Sequence, residues 1–246
     1  MSITLPRARH RMPDTMSVGA HIDELRRRVL RTGLAVVVAC VVAFVAYPQI
    51  LHWLQAPYCH VTPRCSLYVT GPLDGLSLRI HVATYAGLFL ASPVILWQAW
   101  RFVTPGLRAK ERRYAVPFVA ASIVLFAAGA SLALVSLPHA LQFLGSVGGP
   151  TLRQIYDPNK YVGLVMALMA VFGLTFEFPV VLVALQLVGV VRPSALASWR
   201  RWALVLIVVG AAVITPSGDP FSMLALALPL YVFYELSILI GKLLRR

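Results

Sequence analysis

The 246-residue chain sets 22 basic residues against nine acidic ones, a net charge of +13, and 59% of it is hydrophobic. Its mean hydropathy is +0.78. Ordinary soluble domains are about half apolar, so this composition excludes one and points to a single helical membrane domain. The basic surplus is spread over the ends of apolar segments rather than gathered in one patch, which argues against a nucleic-acid footprint.

The first 31 residues are polar and carry Arg7, Arg9, Arg11, Arg26, Arg27, Arg28 and Arg31. So long a polar lead, with no small-residue cleavage pattern after the apolar run, does not read as a cleaved signal peptide. Within it Ile22, Leu25 and Val29 fall at helical spacing and predict an amphipathic lead-in. A first span is predicted from Thr32 to about Trp53, in a stretch without Asp, Glu, Lys or Arg as far as Arg64. An outer connection covers Pro48 to Pro72. The second span is Leu73 to Phe102, interrupted near its start by Asp74 and Arg79. The third is Tyr114 to Leu137, followed by a second outer connection from Pro138 to Lys160. The fourth, Tyr161 to Val191, has Glu177 as its only charge.

A fifth segment, Trp202 to Ile214, is short. At about 1.5 Å per residue it reaches about 20 Å, against a hydrocarbon core of about 30 Å. It must thin the bilayer locally or be continued by polar turns. The run Thr215-Pro216-Ser217-Gly218-Asp219-Pro220 is a strong turn signal. After it the sixth segment, Phe221 to Ile240, contains Glu235. Pro93, Pro117, Pro179 and Pro229 each remove a backbone donor and are expected to bend their helices. The expected fold is an all-α membrane protein: six transmembrane helices in a kinked, concave bundle, the fifth and sixth short. The expected divisions are residues 1–31 as tail and lead-in, 32–241 as the six-helix domain, and 242–246 as the C-terminal tail.

With six spans and a cytoplasmic N-terminus, most basic residues fall on one side. These are the N-terminal arginines; Arg101, Arg108, Lys110, Arg112 and Arg113; Arg192, Arg200 and Arg201; and Lys242, Arg245 and Arg246. Only Arg64, Arg79, Arg153 and Lys160 fall outside. The positive-inside rule therefore places both termini in the cytoplasm of a bacterial plasma membrane, with the charge also drawn to anionic lipid. Cys59 and Cys65 share the first outer loop, where an oxidising compartment would allow a disulfide; geometry decides it. Cys40 reads as an apolar filler within span one. Neither a metal-ligand spacing, a phosphate-cradling loop nor a nucleophile elbow is present in the sequence, so no metal, cofactor or enzymatic activity is expected.

Four glutamates remain to be explained, because an ionisable group at membrane depth is costly. Glu24 stands four residues before Arg28, so an i,i+4 ion pair is one reading. Glu111, within Lys110-Glu111-Arg112-Arg113, could be neutralised in the same way. Alternatively, both accept guanidinium groups from a ligand, since carboxylate–guanidinium pairing is bidentate and strong. Glu177 reads either as a buried acid satisfied by hydroxyls, backbone or water, or as part of a proton relay. Relays, however, show several ionisable groups in succession. Glu235 reads as structural.

Four collinear blocks carry a family resemblance. They are His21-x-x-Glu24-Leu25-Arg26-x-Arg28; Ser92-Pro93-Val94-Ile95-Leu96-Trp97-Gln98-x-Trp100-x-Phe102-x-x-Pro105-Gly106-Leu107 running into Glu111-Arg112-Arg113; Phe172-Gly173-x-x-Phe176-Glu177-x-Pro179; and Thr215-Pro216 with Asp219, Phe221 and Ser222. In order and spacing the chain resembles TatC, the multispanning subunit of the twin-arginine protein translocase. The resemblance implies a receptor that binds the twin-arginine signal peptides of folded proteins on its cytoplasmic face. It also implies assembly with single-span TatA- and TatB-type subunits and further TatC copies, with transport driven by the protonmotive force.

Carried over, the resemblance makes Glu24 and Glu111 the signal-peptide acids. Arg26, Arg28, Arg113, Phe102 and Pro105 then shape the docking face. Glu177 with Pro179 becomes a polar point in the concave face, and Pro216 with Asp219 marks the outer turn. Asp219 stands between ordinary turn chemistry and a functional role. The chain departs from the family at that turn, which has an extra residue, and at Met223, where a glutamine is frequent. The alternative function is an ion- or proton-coupled secondary transporter centred on Glu177, for which internal repeats would be expected. A passive membrane scaffold would make all four glutamates structural.

Overall fold

The computed structural model describes residues 18–59, 67–69, 71–103, 115–147, 149, 156–215 and 217–244. These form α1 (Val18–Val45), α2 (Tyr47–Cys59), α3 (Asp74–Val103), α4 (Ala115–Val147), α5 (Pro158–Phe176), α6 (Phe178–Val188), α7 (Pro193–Ser198), α8 (Arg200–Ile214) and α9 (Pro220–Leu244). Among the described residues there is no strand. In lipid, backbone donors and acceptors have to be satisfied within the segment, so apolar runs of this length settle as helices.

Among the described residues, five helical segments are long and apolar enough to cross a membrane: Ile22–Val45, Asp74–Arg101, Val116–Val147, Pro158–Val188 and Pro220–Leu243. The amphipathic lead-in and the first span are one continuous helix, α1, so the expected division at residue 31 falls inside it. That helix ends at Val45. The rest of the first predicted span and the start of the outer connection fold as α2, with Pro48 in its first turn. α4 continues through Pro138 to Val147, ten residues past the predicted end, because Pro138 is accommodated inside the helix. Pro117 lies in the first turn of α4, where a missing N–H costs nothing, so it does not act as a kink. Pro93 and Pro229 are internal, as expected.

The shortness predicted for both final spans belongs to α8 alone. α8 has 15 residues, about 22 Å at 1.5 Å per residue. α9 has 25, about 37 Å by the same measure. The predicted Phe221–Ile240 run is extended at one end by Pro220 as the first helical residue and at the other by Lys242, whose long side chain is compatible with a helix end.

The α5–α6 segment is the centre of the bundle. Just over half (56%) of its most apolar stretch is buried inside the protein, against 6% for α1. Phe172, Val162, Val165 and Leu168 of α5 pack with Leu226, Leu230 and Ile238 of α9 and with Leu137 and Leu141 of α4. α1 instead presents Leu34, Val37, Val38 and Val41 outward, a surface suited to lipid, and packs along α3. Small residues make that contact. Ala43, Ala83 and Ala86 form its buried cluster, and a Cβ at Gly87 would lie 2.5 Å from Cys40 Sγ and 2.7 Å from Cys40 Cα. Small residues let membrane helices approach closely enough for dispersion to hold them.

Polar contacts fix the end of the bundle where α3 and α5 begin. Arg79 donates to Phe44 O at 3.2 Å, satisfying a carbonyl in the last turn of α1, and its guanidinium lies 4.3 Å over the Phe44 ring. Asn159 of α5 donates to Asp74 O at 3.3 Å, and Ser77 donates to Asn159 Oδ1 at 3.2 Å. α2 is docked by Tyr161, whose hydroxyl donates to Leu54 O at 2.7 Å. Cys59, at the end of α2, is disulfide-bonded, while Cys40 is free; Cys65, its expected partner, lies outside the described residues.

Gly87→Val should therefore push α1 off α3. Overpacking of this kind costs about 1–3 kcal/mol, read as a lower melting temperature of the detergent-solubilised protein. Gly163→Ala, which would meet nothing within 4 Å, serves as the matched control and should melt like the parent.

Candidate functional site

Helix pairing brings the start of α1 and the end of α9 to one end of the bundle. Arg28 of α1 reaches Gln98 near the close of α3, and Trp100 meets Ser122 near the start of α4. Gln186 at the close of α6 meets Ser237 of α9, and Arg200 at the start of α8 meets Glu235. Arg26, Arg27, Arg101, Arg192, Arg201 and Lys242 belong to the same end of these helices.

Two carboxylates define two places. The first is Glu24. Its side chain pairs with the Arg28 guanidinium one turn on, so the ion-pair geometry weighed from the sequence is present. Arg28 is 9% exposed and also donates to Gln98 O at 3.4 Å, so the pair ties α1 to α3 as well as bracing α1. Arg26 is exposed beside it and helps line a small basic recess with Asp23, Arg27 and Leu30. Gln98 lies one turn before Phe102, which the structure describes only as backbone at the close of α3. Pro105, Glu111 and Arg113 lie outside the described residues. α1 thus flanks the helix end that leads into them.

The second is Glu177. It stands at the break between α5 and α6, where Pro179, in the first turn of α6, has no N–H to give the carbonyl four residues back. The chain turns without losing its ladder: Glu177 N donates to Leu174 O, and Val180 N and Val181 N both donate to Glu177 O, each at 3.1 Å. The fourth span, Pro158–Val188, thus runs as two consecutive helices that meet at Glu177. α6 and α8 both pack on α9, and between them opens a groove of about 830 Å³ lined by Leu174, Glu177, Phe178, Val181, Leu206 and Leu230 among other apolar residues. Glu177 is the one carboxylate in its lining.

The Glu177 side chain is half-buried. On α4 nearby, the buried Ser122 hydroxyl accepts from Trp100 Nε1 at 2.7 Å. Glu177 Oε1 is buried and has no partner among the described residues. Neither Trp100 nor Ser122 is singled out by sequence spacing. The available signal was a lone hydroxyl at position 122 in the apolar first half of α4.

Asp219 is buried and acts as the N-cap of α9: its Oδ1 accepts from Ser222 N at 2.7 Å, while Oδ2 accepts from the Ser217 hydroxyl. The extra residue of the turn is accommodated by Gly218 at φ +59°, a backbone region that favours glycine. Pro216 lies outside the described residues. Glu235 pairs with Arg200 at 2.8 Å on a half-exposed face and joins α8 to α9. No group of three or more metal-ligating side chains occurs among the described residues.

The family model described as Sec-independent protein translocase protein (TatC) matches residues 20–229. The TatC protein of Frankia casuarinae is 41% identical over 98% of this chain and 69% of its own length. That of Aquifex aeolicus is 36% identical over 94% of this chain and 97% of its own. A crystal structure of the twin arginine translocase receptor TatC superposes with a TM-score of 0.74 at 37% identity, covering 92% of this chain and all of that one. A second, in DDM, gives 0.75 at 35% identity over 90% and 99%.

The capping geometry separates the two readings of Asp219. Asp219→Ala should cost about 1 kcal/mol of stability, whereas Asp219→Asn keeps the acceptor and should recover most of it in a thermal melt. If Asp219→Asn melts as low as Asp219→Ala, the cap is not what the carboxylate provides.

Proposed function

The chain belongs to the TatC family of Sec-independent protein translocase proteins, and on that premise we propose how its two carboxylate sites divide the work. It is a multispanning helical subunit of the twin-arginine translocase. In our reading it binds the twin-arginine signal peptides of folded proteins at the bundle end that carries Glu24, and it nucleates the export complex there. Both termini face the cytoplasm and the short α8 provides a sixth crossing of the bacterial plasma membrane. TatA- and TatB-type helices and further copies of the chain pack alongside, and the protonmotive force drives transport.

The observation that supports the receptor reading most is the state of Glu24. Its carboxylate already holds a guanidinium, on a face otherwise rich in arginine. An incoming arginine replaces Arg28 in kind, so the carboxylate is never left uncompensated. The displaced Arg28, itself buried, keeps its bond to Gln98 O. Glu111, on the segment following α3, supplies the second acid for the second arginine. Phe102, Pro105 and Arg113 shape the surface between them. The groove at Glu177 takes a partner helix or the inserted signal peptide. A transporter would need a succession of ionisable groups, and the groove lining offers one carboxylate.

Photocrosslinking from positions 24 and 111 to a twin-arginine signal peptide in membranes should give adducts at both, and these should vanish with a Lys-Lys peptide. Lack of adducts at either position, in folded and inserted protein, would return both acids to structural ion pairs. A second expectation concerns α8. A helix too short for the bilayer thins it where cargo passes. Adding one apolar turn to α8, roughly 5 Å, should impair export while leaving signal-peptide crosslinking intact. Loss of crosslinking in that variant would refute the thinning role.

A further inference from the structure

We propose that the recess at the junction of α8 and α9 binds one anionic phospholipid, with its phosphate held between Arg200 and Lys242 and an acyl chain laid along α9. The inference goes beyond the reading of the two acid sites and depends on neither Glu24 nor Glu177.

The site begins with the spacing of α9. Glu235 and Lys242 lie seven residues apart, two turns along one helix face, or about 10 Å at 1.5 Å per residue. Arg200, the first residue of α8, crosses to Glu235 and donates from Nη2 to Oε2 at 2.8 Å. All three side chains line a recess of about 410 Å³. That contact engages one edge of the guanidinium, which carries further donors for an anion. The Arg200 side chain is 49% exposed, so those donors are within reach of a ligand. Lys242 is exposed and has no acid partner among the described residues. Two cations and one carboxylate give the recess a net charge of +1, the complement of a single phosphodiester. The ion pair leaves Glu235 Oε1 as an acceptor, which suits a headgroup with hydroxyl donors such as glycerol.

The other wall distinguishes the recess from a group of solvated surface charges. Val232, Leu236 and Leu239 line it too, and all three are exposed. At positions i, i+4 and i+7 they make one strip along α9, running from the charged mouth toward the interior of the span. An inorganic anion would meet the charges and leave this strip bare, whereas a phospholipid covers both. Trp199 and Trp202, on either side of Arg200 in the chain, are exposed, and such indoles in a membrane protein collect at headgroup level. A lipid bound here touches Arg200 on α8 and Lys242 on α9, and so pins the start of the short helix at that level.

The test uses full-length protein in phosphatidylcholine nanodiscs doped with phosphatidylglycerol, released into native mass spectrometry to count the lipids each chain retains. Wild type should keep one phosphatidylglycerol in preference to phosphatidylcholine or phosphatidylethanolamine. Lys242→Gln removes no hydrogen bond or ion pair among the described residues. It should weaken that retention about tenfold, the scale of a hydrogen bond to a charged group, and Lys242→Arg should restore it. Arg200→Gln should weaken retention as well, but it also cuts the pair with Glu235, so Lys242→Gln carries the test. Arg201→Gln, outside the lining, should retain lipid like wild type. If Arg201→Gln and Lys242→Gln lose lipid equally, the attraction is diffuse surface charge and the site is overturned. Phosphatidylethanolamine retained as well as phosphatidylglycerol would overturn the charge match. Displacement of the lipid by inorganic phosphate would overturn the role of the apolar strip, and with it the lipid as occupant.

Discussion

An interrupted helix at a single acid organises this molecule. Pro179 withholds one donor from the backbone ladder, and in a hydrocarbon environment each such loss must be confined. The chain confines it by restarting a helix at once, with Glu177 O accepting from both Val180 N and Val181 N. The restarted α6 packs on α9. The groove opens beside the break, with Glu177 in its lining.

Around this break the packing is unequal. On one side, close contacts through Gly87 against Cys40 and through Gly129 against the Phe172 carbonyl, where an added Cβ would lie at 2.6 Å, lock α1 to α3 and α4 to α5. On the other side α9 adds polar contacts to its core packing. Gln186 Nε2 donates to Ser237 O at 3.0 Å, Tyr234 donates to Leu196 O at 2.7 Å, and Arg200 meets Glu235. Interhelical hydrogen bonds in membranes are individually modest, averaging about 0.6 kcal/mol.

Much of this was legible in the sequence, for identifiable reasons. Apolar runs bounded by arginines mark the spans because the bilayer imposes one length scale, and α8 stood out as short by the same measure. Glu177 was visible as the one charge in its span. What escaped was decided by tertiary contact. Tyr47 to Cys59 folds as α2 because Leu54 and Tyr58 are buried against α5, which local composition does not announce. Pro138 looked like a helix end, but α4 carries it through because a helix at membrane depth can yield a backbone bond when neighbours supply packing. The pairing of Trp100 with Ser122, 22 residues apart on different helices, has no local signature at all.

The two acid sites differ in what satisfies them, and that difference bears on what each can select. Glu24 is matched by a full positive charge. A neutral donor offered in place of Arg28 would leave charge uncompensated, so the site favours another guanidinium, and a bidentate one over the point charge of lysine. Glu177 lies in apolar surroundings, among which a free cation would have to shed its hydration to enter. A neutral donor carried on an apolar helix meets no such penalty. The chain can therefore keep a charge-selective site at the rim and a helix-selective one in the groove with one carboxylate apiece, discriminating by environment alone.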